Sequence, residues 1–166
     1  MYSVVDLSKY IVNKCVEDGR PISNLQLQKI LYSIQIEYLR EDSRIFTEQF
    51  EAWQFGPVVP ESYYYFCASG GMPITRRFDQ VLVDPGDKSI CDPIIEQKRT
   101  IAPWKLVADT HREDGAWKAV FGEGEGNRSV IPIETIVEHE LRGVILTKLI
   151  VKNSKRFYMS WPKARL

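Results

Sequence analysis

Apolar side chains at helical spacing predict two helices at the N-terminal end of the chain. The first has one apolar stripe that runs from Val4 to Cys15, and Gly19 follows it as a C-terminal stop. The second begins at Ser23, where Gln26 three residues later completes a capping-box pattern. Its predicted buried face consists of apolar residues at the same spacing: Leu27, Ile30, Leu31, Ile34, Tyr38 and Leu39. A short turn joins the two helices into an α-hairpin.

The segment after the second helix is rich in aromatic residues. Partial alternation over residues 45–55 predicts a short strand, and we expect Trp53 within it to be largely buried. Gly56-Pro57 ends this strand, because proline lacks an amide hydrogen and keeps the preceding residue out of the helical region. We therefore predict a tight turn at Gly56-Pro57, leading into a third helix that starts at Pro60 and ends near Ser69.

The second half of the chain predicts one more strand and three more helices. The strand spans residues 78–83, a proline-glycine loop follows at residues 84–87, and Cys91 is expected in a loop. The three helices span residues 103–112, 116–121 and 132–142. In the helix over residues 103–112, Trp104 is assigned to the apolar side. Together these elements predict a helix-dominated α+β fold, with about five helices around one core and a small antiparallel β element.

Length and composition are those of one globular domain. The chain has 166 residues, of which 44% are hydrophobic and 27% are charged. Its longest apolar stretch is shorter than the roughly 18 residues of a membrane span, and the N-terminus lacks the pattern of a secretion signal. The three cysteines lie far apart and form no C-x-x-C pair. We therefore expect a reduced, cytoplasmic protein that does not bind a membrane.

The net charge is zero, but basic residues are concentrated at the C-terminal end. Residues 141–166 carry seven basic and no acidic side chains, whereas residues 84–140 carry seven basic and twelve acidic ones. We assign residues 1–140 to one domain and the remainder to a basic extension. Its β-branched residues predict a β-hairpin packed on that domain, with a continuous helix over residues 132–151 as the alternative. The basic residues of this hairpin are candidate partner-binding residues: Lys152, Lys155 and Arg156.

Candidate catalytic groups are scarce in this sequence. The chain has two histidines, His111 and His139, and neither lies at a spacing typical of a metal site. We expect His111 to hydrogen-bond backbone carbonyls near the end of a helix and His139 to be solvated. The glycine-rich segment 122–126 contains two glutamates, which would repel a phosphate group. The sequence therefore predicts no catalytic residue, no metal site and no cofactor.

Two dense motifs, at residues 22–32 and 50–63, resemble the signature of the Panacea domain, also called the SocA-like antitoxin or phage-associated GepA-type domain. Further matches at residues 110–117 and 131–136 extend the resemblance over residues 3–140. The residues that match, named here the signature residues, are Leu27, Gln28, Lys29, Leu31, Tyr32, Ala52, Trp53, Gly56, Pro57, Val58, Tyr63, His111 and Trp117.

The resemblance implies a non-enzymatic, cytoplasmic antitoxin that neutralises a cognate toxin by direct protein contact. One branch of the family delivers its toxin to a Clp-type protease as an adaptor. We expect most signature residues to form the core, but Gln28 and Lys29 to be exposed beside the buried stripe of the second helix. The alternative function is a DNA-binding regulator of a phage or toxin–antitoxin operon, because the first two helices outline a helix-turn-helix. The low positive charge of the second helix disfavours contact with nucleic acid.

Overall fold

The two N-terminal helices form the predicted α-hairpin. In the computed structural model, which describes residues 1–143, α1 spans Val4–Glu17 and α2 spans Asn24–Leu39. The predicted apolar stripe of α1 is buried, and the capping box between Ser23 and Gln26 is present. Ten of the 16 residues of α2 are buried. This helix therefore lies in the middle of the hydrophobic core rather than on its surface.

A small antiparallel sheet packs against α2. It has the strand order β2-β1-β3, with β1 at Phe50–Trp53, β2 at Gly56–Val58 and β3 at Ser129–Ile131. Trp53 pairs with Gly56 and Ala52 pairs with Pro57, so Gln54-Phe55 is a two-residue hairpin turn. The predicted turn at Gly56-Pro57 is therefore wrong, since both residues lie in β2. Proline is tolerated there because β2 is an edge strand, whose outer side needs no amide hydrogen.

Five more helices complete the described part of the chain: α3 at Pro60–Phe66 with a 3₁₀ turn at Cys67–Ser69, α4 at Pro85–Lys98, α5 at Pro103–Thr110, α6 at Ala116–Phe121 and α7 at Ile133–Glu140. The locations of α3, α5, α6 and α7 agree with the sequence pattern. The assignment of Trp104 to the apolar side of α5 is wrong. Its side chain is 71% exposed, whereas Leu106 of the same helix is buried. The helix contacts β2, where the Thr110 side chain lies next to Gly56.

The predicted strand at residues 78–83 and the loop at residues 84–87 are wrong. The chain is irregular before Pro85, and the side-chain amide of Asn13 bonds the backbone of Phe78, donating to its carbonyl oxygen and accepting from its N–H. Pro85 is the first residue of α4, and Cys91 is buried within this helix instead of lying in a loop. A proline at the first helical position costs no hydrogen bond, so a pattern typical of a turn begins a helix here.

The fold class is as predicted: a helix-dominated α+β fold with one small antiparallel sheet. Nowhere in residues 1–143 is a helix both long and apolar enough to span a membrane. The predicted C-terminal hairpin, with Lys152, Lys155 and Arg156, lies outside the described residues.

Candidate partner-binding site

The first two signature motifs contact each other through Gln28 and Lys29. The Gln28 side-chain oxygen accepts a hydrogen bond from the Val59 N–H at 3.0 Å, and the Lys29 Nζ donates one to the carbonyl oxygen of Pro57, also at 3.0 Å. Both side chains are at most 2% exposed, so the expectation that they are exposed is wrong. They are buried because their polar atoms form hydrogen bonds with backbone groups that the β1–β2 hairpin, and the residue after it, bring to α2.

Gln28 also belongs to a buried polar network that positions α3. Its side-chain nitrogen donates to Asn24 Oδ1 at 3.1 Å and to Ser62 Oγ at 3.2 Å. Ser62 and Ser8 share a hydrogen bond of 2.8 Å between their hydroxyl groups. The Asn24 side-chain amide donates to the carbonyl oxygen of Tyr63 at 3.0 Å. Helices α1, α2 and α3 are therefore joined by side-chain hydrogen bonds in the protein interior, which fixes the position of α3.

Gly56 is required by the position of Lys29. A Cβ atom at Gly56 would lie 2.6 Å from Lys29 Nζ and 2.5 Å from Thr110 Oγ1, and the residue has a φ of +99°. Any other residue would be strained at this φ and would collide with both side chains. The glycine-proline pair of the signature therefore makes room for the lysine and supplies its hydrogen-bond acceptor.

Lys29 is buried without a countercharge in the described part of the chain, where no carboxylate lies within ion-pair distance. Burial disfavours the charged amine and lowers the pKa of Lys29 from 10.5 to about 7. The positive charge of Lys29 in turn contributes, after burial itself, to a lowered pKa of His111.

The rings of His111 and Trp117, both from the match at residues 110–117, stack face to face next to the β1–β2 hairpin. Their ring centroids are 3.7 Å apart with an interplanar angle of 1°. The Trp117 Nε1–H donates to the carbonyl oxygen of Trp53 at 2.8 Å, which attaches α6 to β1. His111 is the C-cap residue of α5, but its ring packs on Trp117 and its Nε2 has no hydrogen-bond partner among residues 1–143. The expected bonding of the ring to backbone carbonyls is therefore wrong.

Glu140 in α7 bonds groups of α2, α6 and the segment between α5 and α6, and it was not identified from the sequence. Its Oε1 accepts hydrogen bonds from the Tyr32 hydroxyl and from the Ala116 N–H, both at 3.1 Å, and its Oε2 pairs with Arg112 at 2.6 Å. The nearby ring of His139, expected to be solvated, is half-buried and donates to the carbonyl oxygen of Asp114 at 2.9 Å. These hydrogen bonds form because α7 packs next to α6. Packing between two separate helices cannot be recognised from a local sequence pattern.

An open cleft of about 540 Å³ lies between the start of α2, the hairpin and the Gly70-Gly71 turn. We name it the aromatic cleft, because Trp53 and Tyr63 form its floor with ring centroids 4.8 Å apart. The other residues used below are Phe55 and Val58 from the hairpin, Gln28 and Lys29 from α2, and Arg128. Trp53 is half-buried rather than largely buried, because it lines this cleft.

Large exposed side chains surround the aromatic cleft. Phe55 at the hairpin turn is 58% exposed and Tyr64 is 55% exposed. The Arg128 guanidinium lies over the Trp53 ring, 4.8 Å from its centroid. No acidic residue among residues 1–143 lines the cleft, although the Glu51 carboxylate, outside the lining, accepts a hydrogen bond from the Trp53 Nε1–H at 2.7 Å. The cleft is therefore an apolar surface with a positively charged edge. Aromatic residues and arginine, which form it, are enriched at protein–protein interfaces.

The described residues 1–143 contain three free cysteines. Cys15 and Cys91 are buried at separate positions, while Cys67 is exposed. Over residues 1–143, no three His, Cys, Asp or Glu side chains are grouped so that they would hold a metal ion.

Comparison with known proteins agrees with the sequence motifs. The family model described as "Antitoxin SocA-like, Panacea domain" matches residues 27–118. The Antitoxin SocA of Caulobacter vibrioides (strain NA1000 / CB15N) is 32% identical over 133 residues, which cover 72% of this chain and 70% of that protein. No solved structure matches the chain significantly. By both the family model and this relative, the chain belongs to the SocA-like antitoxin family.

Proposed function

We propose that this protein is an antitoxin that neutralises a cognate toxin by direct protein–protein binding, without catalysis. Family membership supports the antitoxin role, and the observation that carries the binding mode is the aromatic cleft. Aromatic residues and arginine dominate the binding energy of protein interfaces. An exposed apolar patch of this kind in an otherwise well-packed protein is typical of a binding site.

The scaffold under the aromatic cleft is rigid, which favours binding. The hairpin is bonded to α2 through Gln28 and Lys29, and to α6 through Trp117. Because these contacts exist before a partner arrives, ordering the cleft costs little conformational entropy on binding. Neutralisation would then proceed either by covering the toxin's active surface or by delivering the toxin to a Clp-type protease.

The alternative function, DNA-binding regulation, receives less support from the position of α2. A recognition helix must present one face to the major groove. Buried residues of α2 are spread around the helix and include Gln28 and Lys29 as well as its apolar stripe. The second helix of the apparent helix-turn-helix is therefore unavailable to a DNA groove without unfolding of the core.

Co-expression tests the proposal. The open reading frame next to this gene is expressed under an inducible promoter, and growth is followed with and without this protein. We expect growth arrest by the neighbouring protein alone, rescue by co-expression, and co-elution of the two proteins in gel filtration. Rescue that persists in a host lacking its Clp-type proteases indicates coverage of the toxin, whereas rescue lost in that host indicates delivery. Absence of rescue, together with sequence-selective DNA binding at physiological salt, would replace the proposal with the regulator.

A further inference from the structure

Arg128 is an exposed cation held in one position beside the aromatic cleft. Its backbone N–H donates to the carbonyl oxygen of Ala52 at 2.7 Å, next to the pairing of β1 with β3. Its guanidinium lies over Trp53, and no carboxylate in the described part of the chain forms an ion pair with it. The charge is therefore both fixed in place and available to a ligand.

The floor of the cleft next to this charge is apolar and aromatic. Tyr63 packs on Trp53, and Tyr64 follows with its ring centroid 6.0 Å from that of Trp53. Val58 and Phe55 extend this surface along the hairpin. Lys29 also lines the cleft, but its amine is buried and donates to the Pro57 carbonyl oxygen. The Arg128 guanidinium therefore supplies the positive charge beside the apolar floor.

We propose that the aromatic cleft binds a segment of the toxin that carries a carboxylate next to a large apolar side chain. The apolar side chain packs on Trp53 and Tyr63, and the carboxylate accepts hydrogen bonds from the Arg128 guanidinium. This inference rests on the proposed function, and it specifies the chemistry of the partner at that site. Arginine favours a carboxylate here because its planar donor group bonds both oxygens at once.

The same observations favour a protein segment over nucleic acid. Binding to a phosphate backbone requires several basic residues along a track. The cleft offers one exposed arginine, and the Lys29 amine is buried and bonded to Pro57. A single fixed cation beside an aromatic floor matches one acidic side chain with an apolar neighbour.

A matched pair of charge reversals tests this inference. Arg128→Glu reverses the charge at the cleft, and Arg76→Glu is the control, because Arg76 also lies over an aromatic ring, 5.2 Å from the centroid of Phe78, but outside the cleft. The toxin from the neighbouring reading frame is the probe, and affinity is measured at low and physiological salt. We expect Arg128→Glu to weaken binding by about tenfold or more, and Arg76→Glu by less than about twofold. The loss should be larger at low salt.

Two further measurements test separately the carboxylate of the toxin and the apolar floor of the cleft. Replacement of toxin Asp and Glu residues by Lys, one at a time, should include one variant that restores binding to Arg128→Glu. Trp53→Ala should weaken binding of the wild-type toxin without changing its salt dependence. Equal affinity of the wild type and both cleft variants, measured at a temperature where all three proteins are folded, would overturn the inference while leaving the antitoxin role in place. A wild-type protein that neither binds nor neutralises the toxin would instead overturn the proposed function. Binding of nucleic acid that is lost in Arg128→Glu, with toxin binding unchanged, would assign the cleft to that ligand.

Discussion

The Nζ atom of Lys29 donates a hydrogen bond to the carbonyl oxygen of Pro57 at 3.0 Å, in the protein interior. This bond connects the central helix α2 to the edge strand β2. The amine also occupies the space that Gly56 leaves open by lacking a Cβ atom. One buried amine therefore determines which residues are acceptable in the hairpin, and its protonation is coupled to the stability of the fold.

We expect stability to rise with pH because of Lys29. Its pKa is about 7 in the folded protein, compared with 10.5 for an unperturbed lysine. Between these pH values the unfolded chain binds one more proton than the folded chain, so the contribution of Lys29 to the free energy of unfolding increases with pH. Below the folded pKa, both states are protonated and this contribution is constant. The total rise from this group is up to about 5 kcal/mol.

Urea denaturation from about pH 6 to about pH 10 measures this effect. The control is Lys29→Met, which keeps an unbranched side chain of similar length but cannot bind a proton. We expect the wild type to show a steeper increase in stability across this range than the variant. The same pH dependence in both proteins would mean that Lys29 is protonated in the folded state.

Replacement of Gly56 by alanine is expected to destabilise the protein strongly. The new Cβ atom would collide with Lys29 Nζ and Thr110 Oγ1, and the backbone φ of +99° is unfavourable for alanine. Gly70→Ala is the control, because Gly70 also has a positive φ, +56°, but has no atom within 4 Å of the added Cβ. We expect a loss of about 3 kcal/mol for Gly56→Ala and about 1 kcal/mol for Gly70→Ala, measured by thermal unfolding. Equal losses would show that the collision is relieved by movement of the lysine.

The two tryptophans that meet at β1 are expected to differ in their effects. Trp117 is 5% exposed, stacks on His111 and donates a hydrogen bond to the Trp53 backbone. Trp117→Ala should therefore cost about 3–5 kcal/mol of stability. Trp53 is half-buried, and its backbone acceptor remains in Trp53→Ala, so that variant should cost about 1–2 kcal/mol and mainly weaken toxin binding. The reverse order of stabilities would place Trp53 in the core.

The basic C-terminal extension remains a prediction, and we expect it to modulate the choice of partner. Seven positive charges within residues 141–166 attract an acidic surface. Reversal of Lys152, Lys155 and Arg156 to Glu should leave the protein folded but make partner binding weaker and sensitive to salt. Deletion of residues 162–166 is the control and should have little effect. Unchanged affinity after charge reversal would exclude a role for these residues.

Much of the fold was predictable from local pattern. The stripe of α1, the capping box at Ser23, and the proline residues at the starts of α3 and α5 each express a preference of a few neighbouring residues. Residues 84–87 illustrate the limit of this approach, because Pro85 suits a turn and the first turn of a helix equally well. Contacts with other elements decide between these two structures.

The sequence by itself determined the helical hairpin, the helix-dominated class and the family signature, because each depends on residue order within a short segment. The tertiary structure alone decided that Gln28 and Lys29 are buried, since their partners, Val59 and Pro57, are about 30 residues away in the chain. It also decided that Trp53 faces an open cleft beside Arg128 rather than the core. A polar residue is buried when distant backbone groups satisfy it, and that condition is a property of the assembled fold.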